Sequence, residues 1–239
     1  MHYNYIYIIV TKEENDMPSS SYAFFQKNIE TVTRLQDTYS LEKKVRHNRG
    51  GRGAFDHISR SAVIFLISAF EVYCESILVE ASDLLIKNSK DAKNLPHEVR
   101  STICEYVKIE GNHTSPLALC DEGWRIVYRK IVKEQTDKLN TPNTNNLTNL
   151  FSQLLGIKDQ QINKIMLDTE GKNILDPIIR FRGEITHRVK ANQYVHIETV
   201  EEYKETIRRI VIALEETVCD YIKEQSPSKK QPWNKTYQT

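Results

Sequence analysis

Residues 62–73 read Ala62-Val63-Ile64-Phe65-Leu66-Ile67-Ser68-Ala69-Phe70-Glu71-Val72-Tyr73. Apolar side chains point in nearly every helical direction along the first half of this stretch, so a helix built from it must be buried on almost all sides. The pattern predicts a helix over 57–87, the longest and most apolar of the chain. A polar stripe of Ser68, Glu71, Glu75 and Ser82 interrupts it. A carboxylate in such a segment is costly unless it is paired or hydrogen-bonded. Two readings of the stripe stand: it is the strip that faces water, or Glu71 reaches another helix and pairs there with Arg182 or His187.

A helix that needs cover on all sides needs other helices, and the flanking sequence supplies them. Ser19 and Ser20 are plausible caps for a helix over 20–47, with Phe25, Ile29, Val32 and Tyr39 at helical spacing. Arg49-Gly50-Gly51-Arg52-Gly53 breaks that pattern, as a connector or as a phosphate-binding segment. Further helices are expected over 96–110 (Val99, Ile103, Val107 inward) and 123–139 (Trp124, Val127, Ile131 inward), the latter with a basic side of Arg125, Arg129, Lys130 and Lys133. Residues 140–146 form a loop by composition, 147–155 a short amphipathic helix stopped by Gly156, and 157–167 a further turn or helix. After an extended connection, Thr199 to Glu202 make a capping box that opens a last helix over 199–225. Its inner face carries Tyr203, Ile207, Ile210, Val211, Leu214, Val218 and Tyr221.

The expected architecture is therefore one all-α domain over 19–225. Residues 1–18 form an N-terminal arm or short strand, since 3–10 alternate weakly. Residues 226–239, with Pro227 and Pro232, form a flexible or loosely docked tail. A chain of 239 residues with 39% apolar residues can bury a sizeable core. The net charge of +1 advertises no global field for nucleic acid, so any RNA contact must come from local clusters. Cys74, Cys104, Cys120 and Cys219 stand far apart with no matching histidine spacing, which argues for reduced thiols and against a zinc site. The N-terminus lacks a basic leader, and the longest uninterrupted apolar run ends at Glu71, too short to cross a bilayer. A cytoplasmic protein without a membrane segment is expected. No Gly-rich phosphate loop follows a strand.

The chemistry concentrates in Asp176-Pro177-Ile178-Ile179-Arg180-Phe181-Arg182-Gly183-Glu184-Ile185-Thr186-His187-Arg188. Asp176 as N-cap and Pro177 at the first helical position predict a helix over 176–188. Ile178, Ile179, Phe181 and Ile185 give it an apolar face, while Arg180, Arg182 and His187 bring a permanent charge matched to phosphate oxygens and a group that titrates near neutrality.

Three segments together resemble the HEPN superfamily, closest to its RiboL-PSP branch. Ser68-Ala69-Phe70-Glu71-Val72-Tyr73 after the aliphatic run resembles that branch's central helix. Asn146-Leu147-Thr148-Asn149-Leu150-Phe151 through Gly156-Ile157 resembles its short middle element. Arg182-Gly183-Glu184-Ile185-Thr186-His187 fits the signature of an arginine, four to six residues, then a histidine. The resemblance covers roughly 20–225. It implies a HEPN-like antiparallel helical bundle with extra helices inserted between the central helix and the motif helix. It also implies a homodimer that joins two motif helices in one composite cleft. Two positions depart from the pattern: Gly183 stands where relatives often carry a polar residue, and Val189 stands where a second branch has tyrosine.

The resemblance further implies a metal-independent endoribonuclease with no cofactor, acting on RNA as a toxin or anti-phage effector, with an antitoxin or defence-system protein as a possible partner. His187 serves as base or acid and Arg182 grips the non-bridging oxygens. The products are a 2′,3′-cyclic phosphate and a 5′-hydroxyl. Arg182 and His187 stand about 140° apart around an ideal helix, whereas Arg180 and His187 stand about 20° apart. The long arginine side chain corrects the angle, and the four-residue gap favours Arg182 as the catalytic arginine with Arg180 as a phosphate contact. Glu71, Gly183 and Thr186 are supporting residues; Gly183 leaves room for a base or ribose, or serves close helix packing. Arg188, Lys190, Arg125 and Arg129 are the candidate RNA contacts. The alternative is a catalytically silent module that binds RNA or a partner protein, and after it a purely structural adaptor.

Overall fold

The apolar run forms the middle of α2 (Asp56–Asn88), and five helices pack on it: α1 (Ser20–Val45), α4 (Gly123–Thr136), α5 (Thr144–Leu155), α7 (Gly171–Arg188) and α8 (Ile197–Gln225). Two more, α3 (His97–Glu110) and α6 (Asp159–Asp168), complete the bundle from outside, α3 on α4 and α5, α6 on α5, α7 and α8. The computed structural model describes residues 17–45, 55–110, 115–188, 195–235 and 237. Among them the only other regular elements are single 3₁₀ turns at Ala92–Asn94 and Ser115–Leu119, and there is no strand. The expected strand at 3–10, the Arg49–Gly53 connector and most of the extended link after the motif helix lie outside the described residues.

Side-chain contacts fix the helix directions. Ser20 and Ser21 at the start of α1 meet Glu80 late in α2, and Tyr39 near the end of α1 stacks edge-on against Phe55, at 5.5 Å, beside the start of α2. Gln36 of α1 bonds Lys204 early in α8, while Ser19 bonds Glu215 late in it. So α1 runs antiparallel to both α2 and α8, and those two run parallel to each other. The core between them is continuous: Phe25, Ile29 and Val32 of α1, Leu66, Phe70 and Tyr73 of α2, and Ile207, Val211 and Leu214 of α8 are all buried.

Ser19 caps α1 as expected, its Oγ accepting the Tyr22 N–H at 2.9 Å, and Glu80 of α2 completes the cap. Its carboxylate accepts the backbone N–H of Ser20 and Ser21 (3.1 and 3.0 Å) and both hydroxyls (3.0 and 2.6 Å). An anion at a helix N-terminus satisfies otherwise orphaned donors and meets the positive end of the dipole. Packing at the end of α5 and at the start of α7 requires glycine. A Cβ on Gly171 would lie 2.8 Å from Ile210 Cδ1, so a side chain there would push α7 off α8; Gly156 ends α5 at φ 80°, with Pro96 Cβ 2.6 Å from where its Cβ would be.

Four expectations change. First, α7 begins at Gly171, and Pro177 sits inside it. Asp176 caps a different helix, its Oδ1 accepting the Thr144 N–H of α5 at 3.2 Å. Second, α8 starts at Ile197 after His196, two residues before the expected capping box at Thr199. Third, the segment after α8 is docked rather than loose: Trp233 is 4% exposed, Asn234 N–H donates to Met17 O at 2.9 Å, and Lys235 pairs with Asp220 at 2.6 Å. One aromatic ring outweighed the two prolines and the polar composition. Fourth, α2 as a whole is long and apolar enough to cross a membrane, with a window of mean hydropathy 2.0, although its unbroken apolar run is short. More than half of that window is buried inside the bundle, as befits a core helix.

Candidate active site

On α7 the buried stripe runs Leu175, Ile178, Ile179, and the next position at the same spacing is Arg182. A charged residue on a core-facing stripe needs a partner, and α2 provides it at the matching place on its polar stripe. Arg182 Nη2 lies 3.4 Å from Glu71 Oε2, the two side chains being 26% and 14% exposed. Arg182 Nη1 also donates to the main-chain carbonyl of Asn140, at 3.1 Å, in the loop between α4 and α5. Three segments therefore converge on one guanidinium. Of the two readings of the polar stripe, the one that sends Glu71 to the motif helix holds. Arg180, two residues away, is exposed. Helix geometry thus separates the two arginines: Arg182 turns inward to a fixed ionic contact and Arg180 outward to water.

The contact is ionic without being a closed hydrogen-bonded fork. Glu71 Oε2 and Arg182 Nε are both buried and, among the described residues, have no hydrogen-bond partner. Burial pushes the Glu71 carboxyl above its ordinary range, and the Arg182 charge opposes that rise. Glu75, one turn further along α2, is pushed up to about 7, first by burial, then by the neighbouring Glu71 and by Asp137 just past the end of α4. Glu71 thus meets the guanidinium, and Glu75 one turn along holds its proton to near neutrality.

The remaining candidates divide. Thr186 turns back on its own helix, its hydroxyl donating to the carbonyls of Arg182 (3.0 Å) and Gly183 (3.1 Å). A Cβ built on Gly183 would meet nothing within 4 Å among the described residues, so close packing among them does not explain this glycine, and they leave the space beside α7 open there. His187 lies in the last turn of α7, with Arg188 as the final helical residue; Lys190 lies outside the described residues. Arg125 and Arg129 do not join the site. Arg125 donates to Ile86 O and to Ser89 O (2.9 Å), closing the C-terminal end of α2, and stacks 4.4 Å over the Trp124 ring. Arg129 pairs with Asp83 at 2.8 Å. Ile86 lies about 22 Å along α2 from Glu71 at about 1.5 Å per residue, so these arginines serve the far end of the central helix. The charge run on α4 is a helix-capping and surface-pairing side.

Two participants escaped the sequence. The Asn140 carbonyl carries no side-chain signal at all. Glu75 stood on the polar stripe, but only its burial and the charges of Glu71 and Asp137 set it apart from an ordinary exposed glutamate.

Compared with known proteins, the chain matches the family model described as RiboL-PSP-HEPN over residues 23–220. No curated protein and no solved structure matches it. The matched span takes in α2, with Glu71, and α7, with Arg182 and His187.

Proposed function

The chain belongs to the RiboL-PSP-HEPN family, whose members serve nuclease and other RNA-related functions, and from that membership we propose that it is a metal-independent endoribonuclease. The observation that carries this is the fixed Arg182: of the two arginines at signature spacing, one is built into the bundle by Glu71 and the Asn140 carbonyl. A guanidinium oriented before substrate arrives stabilises charge that develops on a phosphorane without reorganising at the moment of reaction. Its Nε–H, buried and without an acceptor among the described residues, is a donor that a non-bridging oxygen entering the site would satisfy. His187, on the same helix, takes the 2′-hydroxyl proton or delivers one to the leaving 5′-oxygen. Both roles at once need two imidazoles. A homodimer that brings two α7 helices into one cleft supplies them, and the open space at Gly183 leaves room for that approach. A toxin or anti-phage effector working in the cytoplasm, restrained by a partner protein, is the biological setting proposed.

The test is the chemistry of the ends. RNA incubated with the protein in EDTA should yield 2′,3′-cyclic phosphate and 5′-hydroxyl termini, and neither Arg182→Ala nor His187→Ala should produce them. Equal cutting by all three proteins overturns the proposal. RNA binding without cleavage by the wild type favours the silent RNA-binding module in its place.

A further inference from the structure

Asp176 lies inside α7, and its carboxylate reaches the first turn of α5. Its Oδ1 accepts the Thr144 N–H at 3.2 Å and faces the Thr144 hydroxyl at 3.5 Å. A carboxylate on the first free N–H of a helix satisfies an orphaned donor and meets the positive end of the dipole. Six residues further along α7, Arg182 donates to the Asn140 carbonyl at 3.1 Å. One helix therefore grips one loop twice, at Thr144 and at Asn140. The two grips stand about 9 Å apart along α7 at about 1.5 Å per residue. The four residues of loop between them can reach at most about 14 Å, so the loop has little slack. Buried Leu139 anchors the chain just before Asn140. Just after it, Asn146 Nδ2 donates to the Thr141 carbonyl at 2.8 Å, and Asn143 caps α5 by accepting the Asn146 N–H at 2.9 Å. The carbonyl that meets Arg182 is thus presented by a turn tied on both sides.

We propose that Asp176 is a positioning residue for Arg182: by clamping the start of α5 to α7 it holds the 140–144 loop where the Asn140 carbonyl meets the guanidinium. Its effect on cleavage rests on the nuclease reading above. Glu71 meets the guanidinium at Nη2 and the Asn140 carbonyl meets it at Nη1. A planar group tied at one nitrogen still swings about that contact; tied at two, it keeps one orientation. Loss of the Asp176 clamp leaves Arg182 charged and paired with Glu71 but no longer aimed. The cost falls on charge stabilisation in the transition state, and so on kcat rather than KM. An asparagine at this position keeps the accepting oxygen, which is the atom the clamp needs.

The experiment compares RNA cleavage in EDTA by the wild type, Asp176→Ala, Asp176→Asn and Arg125→Ala. Asp176→Ala should lower kcat by about tenfold to 10²-fold, the scale of a slight misplacement at the reacting centre, with KM little changed. Asp176→Asn should restore the wild-type kcat. Arg125→Ala, which loosens the far end of α2, should lose stability and keep kcat, separating aim from scaffold. Wild-type kcat in Asp176→Ala, or equal losses in Asp176→Ala and Asp176→Asn, overturns the inference. Should Asp176→Ala not fold, Asn146→Ala cuts the tie to the Thr141 carbonyl from an exposed side chain, and wild-type kcat there overturns it equally. Absence of cleavage by the wild type overturns the nuclease reading instead, and the Arg182 side-chain N–H resonances of the RNA-free protein then decide this point separately. They should be separate in the wild type and Asp176→Asn and merged by rotation in Asp176→Ala; separate resonances in Asp176→Ala overturn the inference.

Discussion

Glu71 of α2 and Arg182 of α7 stand 3.4 Å apart with their side chains mostly out of water, joining the central helix to the motif helix. The pair is a weak contributor to stability, since partial exposure and the cost of desolvating two charges offset its attraction. Its value is directional: it selects one rotamer of one arginine.

Removing that anchor should therefore harm catalysis more than folding. Glu71→Gln is expected to lower kcat/KM for RNA by about 10²-fold, the scale of a misplaced catalytic group, while shifting stability by only about 1 kcal/mol. Steady-state cleavage rates beside a urea melt check this. A stability loss without a rate loss would assign the pair to the scaffold alone.

The opposite pattern is expected at Arg125. Arg125→Ala removes two charged donors from the terminal carbonyls of α2 and should destabilise the fold by about 1–3 kcal/mol. RNA affinity, measured by filter binding on folded protein, should not change. A selective loss of RNA binding would return this arginine to the interface.

Gly183 separates two demands on α7. Because a Cβ there meets nothing among the described residues, Gly183→Ala should gain up to about 1 kcal/mol of helix propensity and raise the melting temperature. Cleavage should fall at the same time, because the open face must admit RNA or a second copy. Full activity in the more stable variant would show that nothing approaches this face.

Stability should fall as pH rises from 5 to 8. Glu215 is fully buried on α8, and burial pushes its carboxyl from the ordinary 4.5 up to about 8, with Ser19 and Tyr73 hydroxyls pulling it back and Glu80 adding to the rise. A carboxyl raised in the folded state contributes stability that is whole below its unfolded value and is lost as pH climbs to the folded one. Each such group gives a slope of about 1 kcal/mol per pH unit in that window, or roughly 2–4 °C in Tm. Glu215→Gln should flatten the upper part of the curve, and thermal melts at four pH values would register it. An identical slope in the variant would contradict the assignment.

Much of the fold is legible because it follows from burial patterns. The run through Leu66 and Phe70 demands surrounding helices, and periodic apolar faces such as Ile207 to Val218 supply them. Helix starts were less legible because capping is decided across the tertiary structure. Asp176 has the composition of an N-cap for its own helix but serves α5, and at α1 the expected cap Ser19 is joined by Glu80 from another helix. The site was half legible. Arg182 and Glu71 stood out by residue type, and geometry then chose between Arg180 and Arg182. Arg125 and Arg129 misled because a basic helical side looks the same whether its charges face RNA or close off a neighbouring helix.

The rate of RNA cleavage in EDTA by the wild type, Arg182→Ala and Arg180→Ala, measured side by side, tests the central claim most directly. Loss of at least 10²-fold is expected for Arg182→Ala, the order of a lost oxyanion-stabilising donor, with Arg180→Ala losing only the few-fold expected of a phosphate contact. Equal rates for the wild type and Arg182→Ala would contradict the account.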